Sequence, residues 1–227
     1  MLGKQGVDLK VCEAAKDYKY LLNRGYGQKA SLDLVTSRYI LSNVERALLL
    51  RCVHSDEDVV KIRSKHVDDV EHLRVVVDGY NALLTITSAL EGRELYICDD
   101  GIVRDLRKSY SKGFTDEQII ESFKILYNEV TYLKPQSIKL VLDKNVSWSA
   151  KHAELIKSLI THNQVKKYDV TIVLATKADV TVMAEKDVIA SSDYVILTKA
   201  ERIFDVAGYI IRRKFPTQLV DFQQCFT

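Results

Sequence analysis

Leu73-Arg74-Val75-Val76-Val77-Asp78-Gly79-Tyr80-Asn81 is the stretch that decides the fold. Three β-branched residues form a short run that stops abruptly at a carboxylate, as a strand ending in a turn does. Gly79 eases that turn, and a carboxylate and a carboxamide stand three residues apart across it. The same grammar recurs downstream. Glu94-Leu95-Tyr96-Ile97-Cys98 ends at Asp99-Asp100-Gly101, and Ile138-Lys139-Leu140-Val141-Leu142 ends at Asp143. Val170-Thr171-Ile172-Val173-Leu174 is a further strand, and Val188-Ile189-Ala190 closes on Ser191-Ser192-Asp193. Between these runs the spacing predicts an amphipathic helix over Asp116–Leu133, stopping before Pro135, another over Ser149–His162, and a short one from Asp179. Strands alternating with helices give an α/β fold: a mostly parallel central sheet with helices on both faces.

Upstream the pattern is helical. Val11, Ala14, Tyr18 and Leu21 recur at three- and four-residue steps, with Gly25 where a helix would stop. A second helix is predicted over Gln28–Arg38, with Leu32, Val35 and Tyr39 on one side. Ser42, followed three residues later by Glu45, is a capping-box pattern in front of Arg46-Ala47-Leu48-Leu49-Leu50. His54 to Asp69 reads as a polar connector, helical or irregular. The chain therefore divides into a small, basic, all-α domain over 1–66 and an α/β domain over 67–227.

Of the 227 residues, 47% are hydrophobic and 28% charged, ordinary for a soluble protein with a real core. No apolar run approaches the roughly 18–20 residues of a membrane span. Met1–Leu22 contains no uninterrupted apolar segment of the signal-peptide kind. Cys12, Cys52, Cys98 and Cys225 are widely scattered, so neither a zinc finger nor a disulfide framework is expected, and the cytoplasm is the default compartment. Residues 1–66 carry twelve Lys/Arg against eight Asp/Glu; the remainder carry twenty-one against twenty-three. That asymmetry fits a module that holds a polyanion beside one that holds metal ions, though chance also produces it.

Ligands of open parallel sheets bind beyond the carboxyl ends of the strands. Parallel strands would deliver Asp78, Asp143 and Asp193 to one rim, and Asp179 would join from a helix start. Such like charges need a cation, and hard oxygen donors without cysteine or histidine suit Mg²⁺ or Mn²⁺. An aspartate after a strand also serves as a turn former or cap. Taken singly, Asp143 and Asp179 favour that plainer role; the argument rests on joint placement.

Val77-Asp78-Gly79-Tyr80-Asn81 resembles the opening motif of the PIN/NYN-like nuclease superfamily. Leu142-Asp143, Ala178-Asp179 and Ser191-Ser192-Asp193 follow in the order of its other acidic positions. The likeness covers residues 73–205. The whole chain also resembles an uncharacterised, largely archaeal family that joins a small helical domain to such a PIN-like domain. Arg24-Gly25-Tyr26, Glu45-Arg46-Ala47 and Asp99-Asp100-Gly101-Ile102-Val103-Arg104-Asp105 carry that second likeness. The resemblance implies phosphodiester hydrolysis, with Asp78, Asp143, Asp179 and Asp193 holding one or two metal ions and Asn81 orienting a ligand or water. The strand ending at Asp99-Asp100 is extra relative to a minimal PIN domain. Those carboxylates would add metal ligands and Arg104 a phosphate contact, or the segment is a capped turn with a surface ion pair.

In the basic front half, Arg24, Tyr26, Lys29, Arg38, Arg46 and Arg51 offer cations for phosphates and an aromatic for base stacking. The competing reading is a solvated helical surface with Tyr26 in the core. Gly-x-Gly-x-x-Gly, P-loop, His-Glu-x-x-His and Gly-x-Ser-x-Gly patterns are all absent. The expected function is a Mg²⁺/Mn²⁺-dependent ribonuclease acting on RNA (tRNA, rRNA or the ribosome) without a membrane partner. The alternatives are a non-catalytic RNA- or ribosome-associated binding protein and a phosphatase-like hydrolase. The sequence leaves a homodimer open.

Overall fold

The computed structural model describes residues 6–107, 114–162 and 169–227. Four helices lead: α1 (Leu9–Asn23), α2 (Gln28–Tyr39), α3 (Asn43–Cys52) and α4 (Asp56–Arg63). The capping box before α3 is complete, Ser42 Oγ accepting from the Glu45 N–H at 3.3 Å and Glu45 Oε2 from the Ser42 N–H at 2.6 Å. The polar connector contains α4, capped by Ser55 and carrying Asp56, Glu57 and Asp58 in its first turn, where the helix dipole favours acids.

The strands are β1 (Arg74–Asp78), β2 (Leu95–Ile97), β3 (Val103–Arg104), β4 (Ser137–Asp143), β5 (Asp169–Ala175), β6 (Val188–Ala190), β7 (Arg202–Ile203) and β8 (Leu219–Asp221). Five of them form one sheet in the order β5-β4-β1-β6-β7, and every neighbouring pair is parallel. The helices between them are α5 (Gly79–Leu90), α6 (Asp116–Tyr132), α7 (Ser149–His162), α8 (Ala178–Met183), α9 (Tyr194–Lys199) and α10 (Val206–Lys214). Side chains alternate across a strand, so successive valines of β1 enter opposite cores. Val75 and Val77 join Leu140, Leu142, Leu83, Phe123 and Ile210 on one face. Val76 joins Val141, Ile189, Ile62, Val182 and Leu197 on the other. The expected α/β architecture, helices on both faces behind an all-helical segment, is the one observed.

β2 is not part of this sheet. It pairs antiparallel with β3 and parallel with β8 in a separate three-stranded sheet. The reason lies in its packing: Tyr96 and Cys98 face the N-terminal helices, in a core shared with Tyr18, Leu48 and Phe222, whereas Leu95 faces Ile211 of α10.

Against the expectation from their scatter, all four cysteines are paired in disulfides. Cys12 is bonded to Cys225 and Cys52 to Cys98, across 213 and 46 residues of chain, with Cα separations of 4.7 and 4.4 Å. Their scatter along the sequence hides a meeting created by the shared core of α1, α3, β2 and the C-terminus. No helix among the described residues is long and apolar enough to cross a membrane.

Gly79 has a reason other than the turn. Its φ is unstrained, but an added Cβ would lie 2.6 Å from Leu142 Cδ2 and 2.8 Å from the Val141 carbonyl oxygen. Glycine lets the first turn of α5 press against β4 and fixes Asp78 beside it. Gly79→Ala should therefore destabilise the chain by about 1–3 kcal/mol, the usual cost of overpacking against backbone. Urea unfolding measures this, and an unchanged midpoint would contradict the close-approach account.

Candidate metal centre

β1, β4 and β6 run side by side in one direction, so their carboxyl ends share a rim. Asp78 ends β1 and is half-buried; Asp143 ends β4 and is half-buried; Asp193 follows β6 and is exposed. Asp179, exposed, stands in the first turn of α8, just beyond β5. Burial pushes the Asp78 carboxyl up to about 7; a hydrogen bond from Ser191 opposes the rise, and the carboxylates of Asp193 and Asp179 add to it. Asp78 thus feels two of the other three acids. Asp143 belongs to the same rim but is felt most clearly by Tyr80, whose hydroxyl pKa is raised by burial and then by this carboxylate. None of the four forms an ion pair with a described Lys, Arg or His.

Short polar links hold this rim. Ser191 Oγ donates to Asp78 Oδ2 at 2.8 Å and accepts from the Asp193 N–H at 3.1 Å. Asn81 Oδ1 accepts from both the N–H and the hydroxyl of Ser192, each at 2.9 Å. Asn81 Nδ2 donates to no described residue. Asp143 Oδ1 takes the Asn145 N–H at 2.7 Å, and Asp193 Oδ1 caps α9 by accepting from Val195 and Ile196. The capping role of an aspartate after a strand is thus present at this shared rim. Ser191 and Ser192 were legible only as neighbours of Asp193; that they fasten Asp78 and Asn81 needs the β1–β6 pairing.

The Asp99-Asp100 segment lies outside the rim strands in a buried network that joins the rim at Ser192. Asp99 Oδ1 lies 2.7 Å from His54 Nδ1, and its Oδ2 accepts from Lys19 Nζ at 2.9 Å and from the His54 N–H at 2.8 Å. Arg104 grips Asp100 with both terminal nitrogens, at 2.8 and 2.6 Å, and its Nε donates to the Ser192 carbonyl at 2.8 Å. Burial disfavours both charges, yet the Arg104 guanidinium holds Asp100 below the usual carboxylate range. The expected phosphate contact by Arg104 is overturned: the side chain is 2% exposed and its donors face inward. The ion pair is a core feature, not a surface one.

His54, Asp99 and Asp100 bring three ligand atoms within 4.8 Å of one another, a buried group that could hold a metal ion. It is the set among the described residues that meets this spacing, and its oxygens already face Lys19 and Arg104. The rim aspartates stand further apart.

Among the other candidates, Arg24, Lys29 and Arg38 are exposed; Arg24 lies over the Tyr20 ring and Arg38 over Tyr39. Arg46 is ion-paired with Asp33 at 2.7 Å, which leaves it partly engaged. Tyr26 is 62% exposed and not a core residue.

Residues 67–209 match the family described as Domain of unknown function (DUF5616), and residues 10–65 match Protein of unknown function (DUF434). A curated relative, Uncharacterized protein MJ0935 of Methanocaldococcus jannaschii, is 30% identical over 207 residues, covering 89% of this chain and 95% of its own length. No solved structure matches. The chain belongs to the family described as Domain of unknown function (DUF5616), and carries in front of that region a segment matching DUF434.

Proposed function

We propose that this chain is a divalent-metal-dependent ribonuclease of PIN/NYN-like type, with its centre at Asp78. The observation that carries the reading is the shared carboxyl-end rim of β1, β4 and β6, which holds Asp78, Asp143 and Asp193 with Asp179 near by and no described cation partner; the raised carboxyl of Asp78 agrees with it. Carboxylates that share a rim without a cation favour a dication drawn in between them, and an all-oxygen donor set suits Mg²⁺ or Mn²⁺. Asp78, Asp143, Asp179 and Asp193 would hold it. A bound ion lowers the pKa of its water and stabilises charge on the leaving oxygen. Ser191 orients the Asp78 carboxylate, and Asn81, anchored through Oδ1, keeps its Nδ2 donor for a phosphate oxygen. Trp148, in the loop after β4, is 73% exposed at the same rim and offers a face on which a base can stack.

The test is cleavage of a mixed cellular RNA pool with and without Mg²⁺ or Mn²⁺, with the cut ends mapped. Metal-dependent cutting that disappears in Asp193→Asn supports the reading; no cutting by the wild-type chain removes it. A second reading, a non-catalytic RNA- or ribosome-associated binder, is favoured by the capping role of Asp193 on α9. It predicts RNA retention without cutting, whatever metal is added.

A further inference from the structure

Beside the acidic rim, a cavity of about 260 Å³ opens between the N-terminal helices and the α/β unit. Tyr194, the residue next to Asp193, lines it together with Tyr26, Gln28, His54, Ser55 and Asp58. The volume lies just under the range of about 300–1,000 Å³ typical of drug-sized ligand sites, so it suits a single flat ring system. One wall is a fixed aromatic pair: the His54 and Tyr194 rings stack with centroids 4.7 Å apart and planes 16° off parallel. His54 is held from behind by Asp99, and the Tyr194 hydroxyl donates to Asp58 Oδ2 at 2.7 Å. Tyr26 supplies a second, exposed aromatic.

The polar complement decides what kind of ligand fits. No described Lys or Arg lines the cavity, and a carboxylate does, so a phosphate is disfavoured there. Asp58 Oδ2 also takes the Ser55 hydroxyl at 2.7 Å, whereas Oδ1 accepts from no described residue. A free carboxylate oxygen among aromatic rings recognises a planar heterocycle with N–H donors on its edge. Guanine carries two adjacent N–H donors on its pairing edge, and the two lone pairs of Asp58 Oδ1 can take both, Oδ2 being filled by Ser55 and Tyr194. Unpaired bases of RNA are held in this manner, by stacking and by hydrogen bonds to their edges.

We propose that this cavity binds one unpaired guanine of an RNA strand whose backbone passes the Asp78–Asp193 rim. The inference rests on the ribonuclease reading for its substrate class, but its own test does not depend on cleavage.

The full chain is titrated with guanosine, adenosine, cytidine and uridine, followed by nuclear magnetic resonance shifts. Guanosine should bind at least about five-fold more tightly than uridine, and Asp58→Asn should erase that preference. Tyr26→Ala should weaken guanosine roughly ten-fold, the scale of one lost stacking contact. That second variant disturbs neither the Ser55 cap nor the Tyr194 contact, so it remains informative if Asp58→Asn folds poorly. Equal binding of all four nucleosides, no binding, or a preference unchanged in Asp58→Asn overturns the proposal. RNA cleavage without guanosine binding would remove this pocket and leave the nuclease standing. Asp58-dependent guanosine binding without any cleavage would do the reverse.

Discussion

Asp78→Asn is expected to make the metal-free chain more stable at pH 8 while abolishing its metal-dependent cleavage. An unfolded aspartate releases its proton near its ordinary value of about 4, whereas folded Asp78 holds its proton up to about 7. Its folded pKa is raised, so the stability this group contributes is fully present below pH 4 and is lost as pH climbs towards 7. Above pH 7 the folded state carries a charge crowded by Asp193 and Asp179. The shift corresponds to on the order of 2–4 kcal/mol, with some reduction for partial solvent access. Asparagine keeps the shape and still accepts from Ser191, but has nothing to titrate. Thermal unfolding in a chelator from pH 5 to pH 8 should show a falling midpoint for the wild type. The variant's midpoint should vary less over that range. Added Mg²⁺ or Mn²⁺ should restore the wild type at pH 8 and leave the variant nearly unmoved. Cleavage should fall at least about 100-fold, since a metal ion contributes several kcal/mol of transition-state stabilisation. Stability rising while activity vanishes is the signature of a residue kept for chemistry at a structural cost. A variant less stable than wild type at pH 8 would instead assign Asp78 an ordinary turn role.

Arg104→Met should have the opposite signature, a large loss of stability of about 3–5 kcal/mol. Arg104 and Asp100 are both buried, and the guanidinium spends its donors on Asp100 and on the Ser192 carbonyl. Removing it strands a carboxylate in the core beside Asp99, and an uncompensated buried charge is far more costly than the pair is stabilising. The double variant Arg104→Met with Asp100→Leu should therefore recover much of the loss. Arg46→Met, which breaks a partly exposed pair with Asp33, should cost less than about 1 kcal/mol. Urea unfolding of the four proteins separates these effects. If Arg104→Met alone behaved like Arg46→Met, the buried Arg104–Asp100 pair would contribute no more than a surface one. Because Arg104 holds the loop of Ser192, which in turn fastens Asn81, cleavage should decline in the single variant as well.

Several features were written in the chain itself. The unbroken valines before Asp78, the apolar runs before Asp143 and Ser191, and the amphipathic helices between them required a parallel α/β sheet, because period and residue type are local properties. Parallel strands have their carboxyl ends on one side, so the common rim of Asp78, Asp143 and Asp193 followed from the same reading. The Ser42–Glu45 box is local too, spanning one helical turn. What the tertiary structure alone decided are the contacts between segments far apart in sequence. Nothing near Arg104 announces that it turns inward onto Asp100 and Ser192, nor that β2 leaves the main sheet for β8. Cys12 and Cys225 meet only because the first helix and the last residues share a core. The cavity of Tyr26, Asp58 and Tyr194 likewise draws its walls from two segments more than a hundred residues apart, and no local pattern encodes such a meeting.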